Sequence, residues 1–307
     1  MQTERRRSVT ASLVLAAVMV LGVGMASVVL TAGLHSAPAA KTEANAANGP
    51  NTAALTALLH PGGGPAVPQV KGVTDTTSGN WAGYADTATT AGTITEVFSE
   101  WYIPTATCNE KSGATYQVQW VGIDGFGSGS VEQDGSFDYC SGPGATPAYY
   151  TWYEFYPFDS VQIVAASTAG AFISAYVLYN PAETINGIAG VYTLEVFDVD
   201  NGVAFSEIAG GWDLGYTPAD SSVECISEAP GVSTGIAHLT NYGTTKFYAC
   251  DATIGSHTSG IGGLSSVATV YKINQVDGSG HTEQSTGSLS NYYGTKSTFT
   301  ITWKRST

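Results

Sequence analysis

From about Ser78 onward, the chain consists of short runs rich in β-branched and aromatic residues, separated by turns of Gly, Ser and Asn. Several runs alternate polar and apolar residues. In the last run, Phe299, Ile301 and Trp303 fall on the face opposite three threonines. Charged residues make up only 12% of the chain and no helical apolar stripe is found in this region, which disfavours helices. The pattern predicts an all-β fold, either a two-sheet antiparallel β-sandwich or a barrel.

The turns delimit ten candidate strands and show no internal repeat. The candidates cover residues 79–85, 93–103, 115–123, 148–156, 171–179, 190–198, 235–240, 246–253, 267–275 and 297–303. Many short strands joined by regular turns are typical of sandwiches and barrels. We therefore expect one folded domain over residues 74–307.

The first 40 residues have the pattern of an export signal. Residues 5–7 are arginines, an apolar run follows over about residues 11–34, and small residues offer a cleavage site near Ala39 or Ala40. The apolar run is also long enough to span a bilayer, so an uncleaved membrane anchor is the alternative. Either outcome places the body of the chain outside the cytoplasm, as a secreted or membrane-anchored protein.

Residues 41–73 separate this signal from the body. They are rich in Ala, Asn, Pro and Gly, with a cluster of structure breakers at residues 60–65. This composition fits a flexible linker and also fits a pro-segment that is removed on activation.

The body is strongly acidic, because residues 74–307 carry 23 Asp and Glu against 6 Lys and Arg. Nucleic acid is therefore not expected as a partner, since phosphate binding needs a basic face. Solvated Asp and Glu have pKa values of about 4, so such a domain approaches neutrality in acid and repels itself little there. The charge pattern is consistent with an acid habitat.

All four cysteines, Cys108, Cys140, Cys225 and Cys250, lie in the body. In an exported chain an even number of cysteines indicates disulfides, and four cysteines allow three pairings. We favour Cys108–Cys140 and Cys225–Cys250, because each closes a local loop of about 25–32 residues. No CxxC pair is present and the five histidines are scattered, so we expect no zinc site. We also expect no other metal and no cofactor.

Several blocks place polar residues among apolar ones. These blocks are Trp120–Gly125, Val131–Gly135, Tyr150–Pro157 and Val223–Pro230. In the third block, alternation puts Glu154 on the same sheet face as Trp152 and two tyrosines. A carboxylate among aromatic rings is costly unless it is paired or has a function. The alternative is an outward-facing acid on a solvated sheet, and Glu228 has a similar alternative as a strand-end acid.

In order and spacing, these blocks resemble the glutamic peptidases, also called eqolisins or peptidase family G1. The matching segments are Asn80–Gly83, Trp120–Gly125, Gln133–Gly135, Trp152–Pro157, and Glu224 with Glu228. They cover about residues 78–230, and their shared order is more specific than any one of them. The resemblance implies a two-sheet sandwich of the concanavalin or glucanase-like jelly-roll type, with one sheet bent into a concave substrate cleft.

The resemblance also implies the site residues. Gln133 and Glu228 take the catalytic positions. The residues that would bind substrate or support the cleft are Trp120, Asp124, Asp138, Trp152 and Glu154. The chain departs from the family pattern at Cys225, where an aromatic residue is common, at Glu132, where an apolar residue is common, and at Ser136, which resembles a one-residue insertion.

Such a pair can hydrolyse a peptide bond without a metal. Glu228 would take a proton from water as general base and return it to the leaving amine. Gln133 would donate an amide N–H to the oxyanion, and an amide keeps this donor in acid because it does not titrate. We therefore predict a secreted, acid-active, monomeric endopeptidase that acts on proteins or peptides and contacts a membrane only if its N-terminal segment is uncleaved.

Two other functions compete with this prediction. A glycoside hydrolase or glucan-binding sandwich would use Glu154 and Glu228 as two carboxylates that flank a glycosidic bond. A non-catalytic adhesive module would bind a partner through a tyrosine-rich face.

Overall fold

The computed structural model describes residues 73–306 except 112, 211–213, 216 and 293–295, and leaves out the side chains of residues 291, 292 and 296. The predicted export segment (residues 1–40) and linker or pro-segment (residues 41–73) lie outside this part apart from Val73, so both remain predictions. In the part described, no helix is long and apolar enough to cross a membrane.

The described residues form strands joined by turns, with one short 3-10 helix. In chain order the elements are β1 (Thr74–Ser78), β2 (Trp81–Ala88), β3 (Ile94–Tyr102), β4 (Thr115–Ile123), β5 (Val131–Cys140), β6 (Ala148–Tyr156), β7 (Gln162–Ser167), β8 (Phe172–Ile185), β9 (Ile188–Asp198), β10 (Val203–Gly210), β11 (Ser222–Glu228), β12 (Gly231–Val232), β13 (Gly235–Ile236), β14 (His238–Leu239), β15 (Thr244–Ile254), β16 (His257–Gly260), the 3-10 helix (Ile261–Gly263), β17 (Ala268–Val276), β18 (Thr282–Thr286), β19 (Ser290–Tyr292) and β20 (Lys296–Trp303).

These strands build two layers. The first is ordered β7-β6-β5-β4-β11-β2-β17-β1, and its pairs are antiparallel except the edge pair β17–β1. The second is ordered β10-β9-β8-β3-β15-β20 and is antiparallel throughout. Strand β18 pairs with β17 and β20 and so joins the layers along one edge. The predicted antiparallel β-sandwich is confirmed, and the barrel alternative is wrong, because β7 and β10 leave the ladder open among the described strands.

The main core lies between the two layers. Buried side chains of the first layer, such as Tyr84 and Val121, form one apolar cluster with Trp101 and Phe247 of the second. Because residues on one face of a strand alternate with those on the other, Val121 and Ile123 of β4 enter this cluster, whereas Val118 and Trp120 do not. Burial of these large apolar side chains is the main driving force that holds the layers together.

Both favoured disulfide pairings are confirmed. Cys225 of β11 and Cys250 of β15 link the two layers across the core, with their Cα atoms 6.3 Å apart. Cys108, in the segment after β3, is bonded to Cys140 at the end of β5, with a Cα–Cα distance of 5.4 Å. The first bridge fixes one layer to the other, and the second fixes a loop to the first layer.

A second apolar cluster lies on the outer face of the first layer, which we call the site face. This cluster contains Trp81, Trp120 and Trp152, none of which has exposed surface. Phe126 of the β4–β5 loop also belongs to it, and Val232 of β12 packs against it. Burial of both faces of β4 explains why none of its nine residues is exposed.

The predicted strands each overlap an observed one, but the candidate strands omitted others, among them β5, β7, β10 and β11. Strand β5 carries Asp, Glu and Gly, and β11 carries Glu224 and Glu228, residue types that have low intrinsic strand preference. Burial between neighbouring strands outweighs that preference in the folded chain.

Candidate active site

Four neighbouring strands of the first layer bring the predicted catalytic residues to one face. In the order β11-β4-β5-β6, Gln133 of β5 lies opposite Gly122 of β4 and Glu154 of β6. Glu228 of β11 lies opposite Val118, and Ile226 lies opposite Trp120. Because directly paired residues share a face, Glu228, Trp120, Gln133 and Glu154 all project from the site face.

Glu228 is held by N–H donors on both of its carboxylate oxygens. The indole Nε1 of Trp120 donates to Oε2 at 2.9 Å, and the amide Nδ2 of Asn80 donates to Oε1 at 2.9 Å. Glu228 has no exposed surface. Hydrogen bonds from groups that cannot lose a proton in the working pH range favour the charged form of a carboxyl group.

Gln133 binds the second carboxyl of the site. Its Nε2 donates to Oε2 of Glu154 at 2.9 Å, and both side chains are wholly buried. The amide nitrogen has a second N–H, and the Oε1 atoms of Gln133 and Glu154 have no hydrogen-bond partner among the described residues. Gln133 therefore retains both a donor and an acceptor for a ligand.

The two carboxyl groups differ in their surroundings. Burial raises the pKa of Glu154 well above its ordinary value, and the negative charge of Glu228 raises it further, while the hydrogen bond from Gln133 acts in the opposite direction. Two nearby carboxyl groups resist ionising together, so one stays neutral. The arrangement places Glu154, whose pKa is raised, beside Glu228, whose two carboxyl oxygens accept N–H hydrogen bonds.

Aromatic rings surround these polar groups. Trp120 packs edge-on against Trp81, with the ring centroids 5.0 Å apart. Trp152 lies on the same face, opposite Gly135, and its Nε1 has no hydrogen-bond partner among the described residues. Trp120 and Trp152, both predicted to line the cleft, are thus on the face that carries Gln133, whereas the concave shape of that cleft remains a prediction.

Asp124 has a supporting position at the end of β4. Its carboxylate accepts hydrogen bonds from the backbone N–H groups of Ala219, Asp220 and Ser221, at 2.8, 2.8 and 2.9 Å, and from the Ser221 hydroxyl at 2.8 Å. These bonds fix the segment that leads into β11, the strand that carries Glu228. The predicted support of the cleft by Asp124 is consistent with this position.

The expectation that Asp138 belongs with the cleft residues needs a correction. Asp138 is five positions after Gln133 on the regular strand β5, so it projects from the opposite face. It is buried between the layers, where burial raises its pKa to about 8 against a smaller opposing effect of the Thr240 hydroxyl. Asp138 therefore does not line the site face.

The three departures from the family pattern also lie on the face between the layers. Cys225 forms the disulfide that links the layers. Ser136 accepts a hydrogen bond from Nε1 of Trp101 at 2.8 Å, and the β5 ladder shows no register shift there. Glu132 lies opposite Ile123, on the same side. These departures leave the site face unchanged.

The contact between Asn80 and Glu228 was not predicted from the sequence. Asn80 stood only as the first member of a short motif, before strand β2, and no periodicity marks it as a site residue. The signal that could have found it is its place next to Trp81, which pairs with Glu228.

In the described part of the chain, no group of three or more His, Cys, Asp or Glu side chains is placed to hold a metal ion.

Comparisons with known proteins identify the family of the chain and support its fold. A family model described as the peptidase A4 family matches residues 79–293. The fold is similar to that of scytalido-glutamic peptidase, solved with a peptide-based transition state analogue (TM-score 0.54, 21% identity, covering 75% of this chain and 100% of that chain). It is also similar to SCP-B, a member of the eqolisin family solved with the tripeptide Ala-Ile-His (TM-score 0.51, 19% identity, covering 75% and 100%). A comparison with curated protein sequences gives no match.

Proposed function

The chain belongs to the peptidase A4 family, and on that premise we propose that it is an acid-active endopeptidase in which Glu228 and Gln133 cleave peptide bonds. Its family and fold make it a glutamic-type peptidase. The observation that supports the proposed pair is the hydrogen bonding of Glu228: two N–H donors hold its carboxylate on the face from which Gln133 projects.

Glu228 is suited to act as general base. The N–H groups of Trp120 and Asn80 favour its ionised form, and neither group titrates in acid. An ionised Glu228 takes a proton from water as the water attacks the carbonyl carbon of the peptide bond, and it returns that proton to the leaving amine.

Gln133 is suited to stabilise the oxyanion. One of its N–H groups is bonded to Glu154, which holds the amide in place, and the other N–H remains for the substrate oxygen. A fixed donor in a buried site stabilises developing charge more than a mobile one in water, because it needs no reorganisation during the reaction. The free Oε1 atom of Gln133 is an acceptor that can orient the attacking water.

Glu154 supports the pair as a neutral acid. Its raised pKa leaves Glu228 as the charged member of the two. A second negative charge here would repel the oxyanion that Gln133 stabilises, so acid conditions favour the proposed reaction.

Substrate has to reach buried atoms. Glu228, Gln133 and Glu154 have no exposed surface, and Tyr156 and Val232 pack against the aromatic cluster beside them. Binding of a peptide therefore requires some of the covering residues to move. The peptide-like ligands of the two similar structures support peptides as the substrate class.

Export remains part of the proposal. The arginines at residues 5–7 and the apolar run that follows them support secretion, or anchoring by residues 11–34. Sequencing the N-terminus of the protein recovered from culture medium and from membranes tests both alternatives.

The proposed pair is tested by casein hydrolysis at acid pH. Glu228→Gln and Gln133→Ala should each lower kcat/KM by about a thousandfold or more, as removal of a general base or an oxyanion donor does. Glu183→Gln, an exposed glutamate of β8, is the matched control and should retain activity. Circular dichroism should show that the variants are folded. Near-normal cleavage by either site variant would exclude the pair.

A further inference from the structure

We infer that Asn80 is a positioning residue of this peptidase, which orients the Glu228 carboxylate and keeps it ionised through the N–H that it donates. The inference rests on the proposed function, because it assigns Asn80 a role only through Glu228 as general base. Asn80 Nδ2 donates to Glu228 Oε1 at 2.9 Å.

The neighbouring Ser78 determines which way the Asn80 amide points. The Ser78 hydroxyl accepts hydrogen bonds from the backbone N–H groups of Asn80 and Trp81, at 3.3 and 3.2 Å. A hydroxyl has two lone pairs, so its own hydrogen remains to donate, and it lies 3.0 Å from Asn80 Oδ1. Because Oδ1 accepts from Ser78, the NH2 group of Asn80 faces Glu228.

The turn that carries Asn80 is itself tied to the strands of the site. The carbonyl oxygen of Asn80 accepts from the backbone N–H of Ala229, the residue after Glu228, at 2.9 Å. The carbonyl oxygen of Gly79 accepts from Gln275 Nε2 of β17 at 3.2 Å. The Asn80 amide and the Glu228 carboxylate that accepts its hydrogen bond are therefore held by the same short stretch of backbone pairing.

The groups around Glu228 show why such a donor is needed. Glu154 of β6 is the facing carboxyl whose charge interacts with Glu228. Glu224 lies on the same face of β11 and accepts from the backbone N–H of Phe126. No lysine or arginine occurs between residues 112 and 245, so these strands supply no cationic side chain. In this acidic setting, the amide of Asn80 and the indole of Trp120 are two partners that favour the charged form of Glu228.

The experiment measures kcat/KM against pH for Asn80→Ala and Asn80→Asp in the full-length chain with a chromogenic peptide. Loss of the donor in Asn80→Ala should move the acid limb of the profile upward by about one pH unit, so that activity below the limb falls about tenfold. Asn80→Asp keeps an acceptor for Ser78 and has a donor only while its carboxyl is protonated. Its activity should therefore fall as pH rises through the titration of that carboxyl. Because this change is measured within one variant, it depends least on how well the variant folds.

Asn201→Ala is the matched control, because Asn201 also donates Nδ2 to a buried carboxylate, Asp198, at 2.8 Å, but away from the site. It should lower thermal stability without moving either limb. The inference is overturned if the profiles of Asn80→Ala and Asn80→Asp, corrected for the folded fraction, coincide with that of the unchanged protein. An active Glu228→Gln variant would instead overturn the proposed function, so the two failures are distinguishable.

Discussion

Gln133 donates its side-chain amide to Glu154 across the neighbouring strands β5 and β6, with 2.9 Å between Nε2 and Oε2. Burial and the charge of Glu228 keep the pKa of Glu154 high, so this bond is made to a neutral acid. Glu154 is therefore bound to the proposed oxyanion donor, whereas in a glycosidase it would be the general acid that protonates the leaving group.

This relationship predicts different outcomes for two substitutions at Glu154. Glu154→Gln keeps a neutral acceptor for Gln133, so kcat/KM on casein in acid should stay within about tenfold of the unchanged enzyme. Glu154→Ala leaves the amide of Gln133 without its partner and should lower kcat/KM about a hundredfold, as loss of a buried hydrogen bond to a polar group does. A glycosidase would show the opposite selectivity, with β-glucan hydrolysis abolished in Glu154→Gln.

Trp120 should contribute to catalysis through its ring N–H. Trp120→Phe removes the donor to Glu228 Oε2 but keeps an aromatic ring, so kcat/KM below the acid limb should fall roughly 10- to 100-fold. The limb itself should move to higher pH. Trp81→Phe is the control: Trp81 packs on Trp120, but its Nε1 has no partner among the described residues. An equal shift in both variants would show that packing, and not the hydrogen bond, is responsible.

The fold should be most stable in acid. Asp86, Asp134 and Asp138 are buried, and burial raises the pKa of each, to about 8 for Asp138. In the unfolded chain these groups titrate at about pH 4, so the folded state binds more protons between these values. Their contribution is complete below about pH 4 and is lost as pH rises, for Asp138 up to about pH 8.

Thermal unfolding across this range measures the effect. The unfolding temperature should fall as pH rises, and Asp138→Asn, which cannot ionise, should fall less steeply. An unfolding temperature that is constant or rises over the same range would contradict the prediction.

Gly135 should tolerate no side chain. It lies opposite Trp120 and Trp152, and an added Cβ would be 2.0 Å from the backbone oxygen of Gln119. Gly135→Ala should therefore push β4 and β5 apart, destabilise the fold by about 3 kcal/mol, and separate Trp120 from Gln133.

Urea unfolding with a parallel casein assay checks this expectation. Gly278→Ala serves as the comparison, because no atom lies within 4 Å of a Cβ added there. Similar stability of the two variants would mean that β5 can shift without cost.

The sequence predicted the overall architecture more completely than it predicted the individual strands. Alternating runs and turn residues were sufficient to predict the antiparallel sandwich, and loop length was sufficient for both disulfides. Strands β5 and β11 escaped notice because their polar residues lower strand preference, although these strands carry Gln133 and Glu228. The local amino-acid sequence does not show which residues are buried in the folded chain, and this burial overrides the intrinsic strand preference.

Three kinds of information were thus present in the sequence alone: the fold class, the likeness to one family, and the identity of the residues proposed for catalysis. The tertiary structure decided which face each residue occupies and what it touches. It placed Asp138 on the opposite face of β5 from Gln133. It also placed Asn80 next to Glu228, which lies 148 positions away in the chain. The physical reason is that hydrogen bonds and pKa shifts depend on distance in space, and strand pairing sets that distance between residues far apart in sequence.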